Sequence, residues 1–244
     1  MLMIQGVATT GSAWQPQVEG LSADHALLTF DNRGIGKSPL REPISIEAMA
    51  ADARELLDEV GWEQAHVVGH SMGGLIAQQL ALDHPGRVKS LALLCTFSRG
   101  PEAARLTLQT LRLGLRTRLG TRAMRRNAFL DILWSRQGLA GHDREALARD
   151  LAPLLGRDLA DNPPIALRQL QAMRRHDLSS RLFAIKVPTL VVSGDEDPIA
   201  LWPFGQHLAE LIAGGRYVKL DQAAHGLTLE WPERVNQLLR EHFK

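Results

Sequence analysis

Short apolar runs alternate with longer segments of helical periodicity along most of this chain. The segments of helical periodicity predict helices at Trp14–Leu21, Ser45–Val60 and Ile199–Ile212, after residue 71, and at the C-terminus. Strands that alternate with helices and read as continuous apolar runs are typical of parallel sheets covered on both faces. The pattern therefore predicts an α/β fold with a doubly wound, mostly parallel sheet. The apolar runs predict its strands at Leu2–Gln5, Ala26–Phe30, Ala65–Gly69, Val88–Cys95, Val187–Ser193 and Tyr217–Leu220.

One of these strands runs directly into a turn of small residues and then a helix. The β-branched pair Val67-Val68 leads into the pentapeptide Gly69–Gly73, which has the form Gly-x-Ser-x-Gly with Ser71 at its centre. At a strand-to-helix junction this pattern is typical of a nucleophile elbow, because its glycines leave room for a sharp, strained turn. The helix that follows points its N-terminal N–H groups at the turn, where they can stabilise an oxyanion. Ser71 is therefore the candidate nucleophile.

A nucleophilic serine needs a general base, and the base needs a carboxylate that orients it. In a doubly wound sheet both are expected on loops after later strands, in the chain order serine, acid, histidine. His225 follows the last predicted strand and is the favoured base. His70 adjoins the serine, but successive strand residues point to opposite faces, so it is not expected to reach the hydroxyl. Three residues after the preceding strand compete for the role of the acid, namely Asp195, Glu196 and Asp197.

Together these motifs resemble the α/β-hydrolase fold superfamily, and within it the single-domain serine hydrolases of the esterase, lactonase and haloperoxidase type. The resemblance spans nearly the whole chain except its middle. It implies that the acid is Asp197, which precedes a proline at the end of a Gly-x-x-Asp run. The runs that carry the resemblance are Gly69–Gly74, Asp31–Ser38, Gly194–Pro198 and Ala224–Gly226.

The resemblance also implies which backbone groups bind the oxyanion. Similar proteins have His-Gly-x after the first central strand, and the residue at x gives its backbone N–H. Here the corresponding run is Gln5-Gly6-Val7, so the implied donors are the N–H groups of Val7 and Met72. Gln5 stands where histidine is usual, which leaves open what supports this turn.

The middle of the chain, about residues 101 to 164, breaks the alternation of strands and helices and reads as helical. In similar proteins an insertion here forms a cap that lines the substrate pocket. We therefore expect residues 1–98 and 165–244 to build the core sheet and residues 99–164 to form a helical cap. The apolar side chains of this cap include Leu106, Leu108, Leu111, Leu113, Leu115 and Leu119.

The first half of the expected cap is also strongly basic. Its arginines are Arg99, Arg105, Arg112, Arg116, Arg118, Arg122, Arg125 and Arg126. We interpret them as arginines on helix surfaces, whose aliphatic stems lie along apolar surface while their charged ends stay in water. Acidic residues further along the cap can neutralise much of this charge. Recognition of an anionic substrate or of an anionic membrane surface is the alternative.

The first strand begins almost at Met1, whereas similar proteins carry an antiparallel pair of strands before it. The fold is therefore expected to lack that pair, which leaves Ala26–Phe30 as an exposed sheet edge. An exposed edge invites pairing with another chain, so we expect either a homodimer through this strand or reduced stability.

Composition narrows the classes of function. Lys and Arg total 28 against 27 Asp and Glu, a balance that gives no reason to expect a nucleic-acid partner. Cys95 is the only cysteine, which excludes an internal disulfide and fits a reducing, cytoplasmic compartment. No charged region precedes the short apolar run at the N-terminus, so we expect no signal peptide. No apolar run in the given sequence is long enough to span a membrane, and its cysteine and histidines do not have zinc-ligand spacing. No cofactor or metal is expected.

These features predict a serine hydrolase that cleaves carboxylic esters of small, largely apolar substrates through an acyl-enzyme. Its catalytic residues would be Ser71, His225 and Asp197. Lactonases, carbon–carbon bond hydrolases and cofactor-free haloperoxidases or perhydrolases use the same triad and stay open as alternatives. A regulator that binds a small-molecule signal with little turnover is an alternative of another class.

Overall fold

A computed structural model describes residues 1–103 and 108–244. The strands are β1 (Leu2–Ile4), β2 (Leu28–Thr29), β3 (Ala65–His70), β4 (Val88–Leu94), β5 (Thr189–Gly194) and β6 (Arg216–Leu220). The helices up to the end of β4 are α1 (Gln15–Leu21), α2 (Ile46–Glu59) and α3 (Met72–Asp83). Between β4 and β5 lie α4 (Gly100–Ala103), α5 (Leu108–Arg116), α6 (Arg122–Leu133), α7 (Arg136–Ala140), α8 (Arg144–Leu155) and α9 (Pro164–Arg174). The last helices are α10 (Trp202–Leu211), α11 (Leu227–Glu230) and α12 (Pro232–His242).

The strands form one sheet in the order β2-β1-β3-β4-β5-β6, and every neighbouring pair is parallel. The predicted doubly wound α/β fold is confirmed. β2 lies at one edge of the sheet as expected, but it pairs with β1 over only two residues, Leu28 and Thr29. A homodimer through this edge stays a prediction.

The central helix α3 is buried over almost its whole length, and most of its residues are apolar or small; Gln78 and Gln79 are its buried polar residues. It packs against α2, while α1 packs against α12. Trp14, Met49 and Leu75 are among the fully buried side chains of the main core. A second, smaller apolar cluster lies within the helices that follow β4 and includes Leu130, Leu151 and Leu155.

One helix begins later than predicted. The sequence predicts a helix from Ile199, but α10 starts at Trp202. The side chain of Asp197 explains the difference, since its Oδ1 accepts hydrogen bonds from the backbone N–H groups of Ile199 and Ala200 at 2.8 and 2.9 Å. These bonds hold residues 198 to 201 as a loop. Within the described residues, no helix combines the length and apolar character that crossing a lipid bilayer requires.

The leucines of the helical segment between β4 and β5 lie on two different sides of it. Leu113 lines a cavity, whereas Leu111, Leu115 and Leu119 are 54, 61 and 59% exposed. They lie on the outer side of the segment. Arg105 and Leu106 lie outside the described residues, as does the side chain of Leu108.

Several arginines of this segment form ion pairs with carboxylates. This agrees with the interpretation that acidic residues nearby neutralise much of the positive charge. Arg122 contacts Asp158 and Asp161 at 2.9 and 3.0 Å. Arg126 contacts Asp158 and Glu145 at 2.5 and 3.0 Å. A further pair joins Arg116 to Asp131 at 2.9 Å.

Candidate active site

Ser71 occupies the turn between β3 and α3 in a strained conformation, with φ 56° and ψ −121°. This geometry requires small neighbours. A Cβ atom on Gly73 would lie 2.1 Å from the backbone oxygen of Ile4, and one on Gly69 would lie 2.3 Å from that of Gly73. The two glycines therefore let β1, β3 and α3 meet at the serine, as the elbow pattern predicts.

The side chains of Ser71, His225 and Asp197 form one hydrogen-bonded chain. The serine Oγ lies 3.0 Å from His225 Nε2, and His225 Nδ1 lies 2.8 Å from Asp197 Oδ2. The Asp197 side chain has no exposed surface, and its other oxygen accepts the two backbone bonds described above. All three residues follow the carboxyl ends of strands, β3, β6 and β5, so the parallel sheet brings them to the same edge.

The two other acidic candidates of the Asp197 loop point elsewhere. Asp195 Oδ1 accepts from the backbone N–H of Ala223 at 3.3 Å. Glu196 Oε2 accepts from the backbone N–H of Arg136 at 2.9 Å. Of the three carboxylates, Asp197 is the one that contacts His225.

His70 contributes to the site in a way that the sequence reasoning missed. It does not contact the serine hydroxyl, as expected, but its Nε2 lies 2.8 Å from the backbone oxygen of His225. Since a carbonyl oxygen only accepts, Nε2 carries the proton. Burial lowers the pKa of His70 to about 4, so the ring is neutral near pH 7 and its Nε2–H donates to His225.

Cys95 lies beside the same group of side chains. Its thiol is buried, 3.8 Å from the backbone oxygen of Ala224, and burial raises its pKa well above the ordinary value. Donor atoms of Cys95, His70 and His225 fall within 4.8 Å of one another, a spacing that can suit a metal ion. Both ring nitrogens of His225 are already bonded to Ser71 and Asp197, so the arrangement fits the hydrogen-bonded chain better than metal ligation.

The turn after β1 lies against the serine. A Cβ atom on Gly6 would lie 3.0 Å from the Cβ of Ser71, a contact so tight that the serine would have to shift, so glycine suits this approach. Within the described residues, the backbone N–H groups of Val7 and Met72 meet no hydrogen-bond acceptor. Free N–H groups near a serine hydroxyl are what an oxyanion site requires.

Side chains from distant parts of the chain hold this turn in place. Ala8 has a left-handed backbone, with φ 52°. Its N–H donates to Gln169 Oε1 at 2.9 Å, and its carbonyl oxygen accepts from Arg157 Nε at 3.2 Å. No local pattern in the sequence indicates either contact, because Arg157 and Gln169 lie 149 and 161 positions after Ala8.

Gln5 stands at the position where similar proteins have histidine, and the structure shows what supports the turn here. Its Oε1 accepts from the N–H of Gly6 at 3.2 Å. Its backbone oxygen accepts from Asn32 Nδ2 at 2.9 Å. The turn is thus supported by amide groups, and the question that the sequence left open is answered.

The loop that carries His225 is bonded to the end of α6. The N–H of His225 donates to the oxygen of Ile132 at 3.2 Å, and that of Gly226 donates to the oxygen of Leu133 at 2.8 Å. Glu230 adds a second connection, since its carboxylate accepts from the backbone N–H of Ser135 at 3.0 Å. Burial raises the pKa of Glu230 above its ordinary value.

A cavity of about 310 Å³ opens onto Ser71 and His225, with a mostly apolar lining. Phe129, Leu133 and Leu155 contribute to its walls from the helices between β4 and β5. Arg157 is the partly buried cation of the lining; its guanidinium lies over the Phe129 ring, 4.7 Å from the centroid. The site therefore combines a polar hydrogen-bonded chain with a compact apolar chamber.

This fold and site define a class of protein. The family of the alpha/beta hydrolase fold matches residues 1–232, and the chain belongs to it. The chain is 34% identical over 231 residues to a protein of Variovorax paradoxus named "Putative carbamate hydrolase RutD", an alignment that covers 93% of this chain and 83% of that one. It is 30% identical over 247 residues to a protein of the same name from Stutzerimonas stutzeri, covering 99% and 90% of the two chains.

Solved structures of known hydrolases and related enzymes share the fold. The enol-lactonase of Burkholderia xenovorans superimposes with a TM-score of 0.80 at 29% identity, covering 99% of this chain and 90% of that one. A "Putative non-heme bromoperoxidase BpoC" of Mycobacterium tuberculosis gives a TM-score of 0.85 at 28% identity over the same shares of the two chains. The family and these relatives support hydrolase activity for this chain.

Proposed function

We propose that this protein is a serine hydrolase that cleaves carboxylic esters of small, largely apolar substrates through an acyl-enzyme. The observation that carries the proposal is the hydrogen-bonded chain from Ser71 through His225 to Asp197 at the wall of an apolar cavity. The cavity, about 310 Å³, is at the lower end of the range for small-molecule sites.

In the proposed reaction, Ser71 Oγ attacks the ester carbonyl while His225 Nε2 accepts the hydroxyl proton. Asp197 accepts from His225 Nδ1, which keeps the ring in the tautomer whose Nε2 is free to accept. The imidazolium that forms lies beside this buried carboxylate, which stabilises its charge. His225 then gives the proton to the leaving alkoxide.

The negative charge that develops on the carbonyl oxygen is proposed to bind at the N–H groups of Val7 and Met72. Losing one donor of such a pair typically raises the barrier by about 2.7–4 kcal/mol. Water then enters, is deprotonated by the same histidine and attacks the acyl-enzyme. The bond between the acyl group and Ser71 Oγ then breaks, the acid leaves, and His225 returns the proton to Oγ, which restores the free serine.

We further propose that the helices of residues 99–164 act as a cap that selects the substrate. Support comes from the walls of the cavity, which include side chains of α5, α6 and α8 such as Leu113, Phe129 and Leu155. The apolar character of these walls favours an apolar acyl or alcohol group.

Hydrolysis of a carbamate is the second candidate, and the printed name of the two relatives favours it. A carbamate carbonyl is attacked by the same serine and needs the same oxyanion donors. The free carbamate ion, however, has four heavy atoms and leaves most of the cavity unfilled. The size of the cavity therefore favours the ester.

The deciding experiment is steady-state turnover of p-nitrophenyl esters with acyl chains from acetate to decanoate, with Ser71→Ala in parallel. We expect repeated turnover by the wild type, background rates for the variant, and an optimum at short to medium chains. Ammonia release from carbamate at alkaline pH tests the second candidate. Release of one product equivalent without further turnover would instead indicate a signal-binding regulator.

A further inference from the structure

An exposed apolar surface lies on the outer side of α5 and the turn that follows it. Leu111, Leu115 and Leu119 are spaced four residues apart and are each more than half exposed, as is Met124 in the next helix. Helical hydrogen bonds continue past α5, since the N–H of Leu119 donates to the oxygen of Leu115. The three leucines therefore share one face of a continuous helical segment.

We name these four residues, together with Arg112, Arg116 and Arg118, the α5 surface. Residues 103–130 contain no Asp or Glu. Arg112 and Arg118 are exposed, and among the described residues neither is within ion-pair distance of a carboxylate. Arg116, although paired with Asp131, is half exposed. The apolar stripe is thus bordered by positive charge.

The opposite side of the same helical segment faces the active site. Leu113, Gly114 and Thr117 line the cavity that holds Ser71. Arg118 also contributes to the lining, and because it is exposed it lies at the border between the cavity and the exposed leucines. One short segment therefore separates the cavity from the exposed leucines, and whatever covers the α5 surface lies directly against the cavity wall.

We propose that the α5 surface docks on an anionic phospholipid surface. A helix with leucines on one face and arginines beside them is the pattern of segments that lie in the plane of a membrane interface. The leucines enter the acyl boundary and the arginines contact phosphates of the headgroups. The proposal does not depend on which ester or carbamate the active site cleaves.

Charge decides against a second copy of the chain as the occupant. In a two-fold symmetric contact the same patch meets itself. The arginines beside the leucines of one copy would then lie near those of the other, and such like-charge contacts oppose association. An anionic lipid surface neutralises them instead, at about 1 kcal/mol per arginine close to the membrane, a factor of about five in partition.

The experiment is co-sedimentation of the full chain with vesicles of phosphatidylcholine and phosphatidylglycerol in equal amounts, compared with phosphatidylcholine alone. We expect binding to the mixed vesicles that weakens at high salt, and much weaker binding to the neutral ones. Arg112→Ser should lower the partition coefficient about fivefold. Leu115→Ser should lower it about tenfold, because a leucine in the acyl region is lost.

Two matched variants control for exposure and charge elsewhere on the molecule. Phe183→Ser removes an apolar side chain that is 67% exposed, and Arg216→Ser removes an exposed arginine on β6. Both should bind mixed vesicles like the wild type. Equal binding to both vesicle types, no binding at low salt, or equal losses in controls and test variants would each overturn the proposal. So would sedimentation as a dimer that Leu115→Ser dissociates.

Discussion

The imidazole of His70 donates to the backbone oxygen of His225 at 2.8 Å, and the two rings lie 5.0 Å apart. The residue that precedes the candidate nucleophile thus holds the loop of the candidate base. This contact spans the gap between β3 and the loop after β6. The relative position of the two catalytic candidates therefore depends on a third side chain that does not contact the serine hydroxyl.

His70 should make stability depend on pH. Burial lowers its pKa to about 4 in the folded chain, whereas an unfolded histidine titrates near 6.5. The unfolded state therefore binds a proton first, so the contribution is fully present above pH 6.5 and is lost as pH falls toward 4. At pH 4 the loss amounts to roughly 3 kcal/mol.

We expect the variant His70→Asn to show a shallower loss of stability across this range than the wild type. The measurement is the free energy of unfolding in urea at a series of pH values between 7.5 and 4.5. Partly buried histidines such as His66 and His242, whose pKa values burial also lowers, are present in both proteins, so the comparison isolates His70. Parallel curves for the two proteins would show that His70 does not cause the dependence.

Replacing Asp197 should show that it, and not Asp195 or Glu196, is the carboxylate that supports His225. Asp197→Asn keeps the shape of the side chain but removes the charge beside His225, and losses of about 10⁴ in kcat follow from this change in other serine hydrolases. Asp195→Asn is the matched control, since its carboxylate contacts the N–H of Ala223 and not the histidine. Its kcat should stay close to the wild-type value. The assay is p-nitrophenyl ester turnover, and equal losses in both variants would contradict the assignment.

Gln169 should affect the rate through the oxyanion turn. Gln169→Met keeps the volume but removes the acceptor for the N–H of Ala8, so the backbone at Val7 is less firmly held. We expect kcat to fall about tenfold with little change in KM, since a less well placed donor weakens transition-state binding.

The control for this variant is Gln78→Met. Gln78 is another fully buried glutamine, and it donates to the backbone oxygen of Phe97 and not to the turn after β1. Its replacement should cost a similar amount of stability with no matching loss of kcat. A fall in kcat that follows the fall in melting temperature in both variants would mean that Gln169 acts only on stability.

Gly73 should not tolerate even one added methyl group. In Gly73→Ala the new Cβ meets the backbone oxygen of Ile4 at 2.1 Å, and overpacking of this kind costs roughly 1–3 kcal/mol. In Gly86→Ala nothing lies within 4 Å of the new atom, so stability should be unchanged or slightly raised. Thermal melting of the two variants gives the comparison, and a stable Gly73→Ala protein would show that β1 and α3 can separate.

The sequence predicted the parts of the site that depend on local pattern. The strand, the small-residue turn and the helix around Ser71 follow from residue types that are adjacent in the chain. The position of His225 follows from a general property of parallel sheets, whose strands all end at one edge. The sequence alone did not separate Asp197 from its neighbours, because all three carboxylates lie within one loop, and the resemblance was needed to favour it.

The parts that could not be predicted depend on contacts between distant segments. No periodicity indicates that Gln169 and Arg157 hold Ala8, or that Ile132 accepts from His225. The sequence also could not show which face of α5 is exposed. Leucines at helical spacing are compatible with a buried or an exposed face, and only the packing of neighbouring helices decides between them.

The bonds between the His225 loop and the end of α6 have a mechanical consequence. The wall of the cavity at Leu133 is joined directly to the histidine loop, because the oxygens of Ile132 and Leu133 accept from the N–H groups of His225 and Gly226. If α6 swung outward to admit a substrate, it would pull the imidazole away from the serine. An entry route that leaves α6 in place keeps His225 beside Ser71 throughout the cycle. We therefore expect the substrate entrance to lie in another part of the cavity wall.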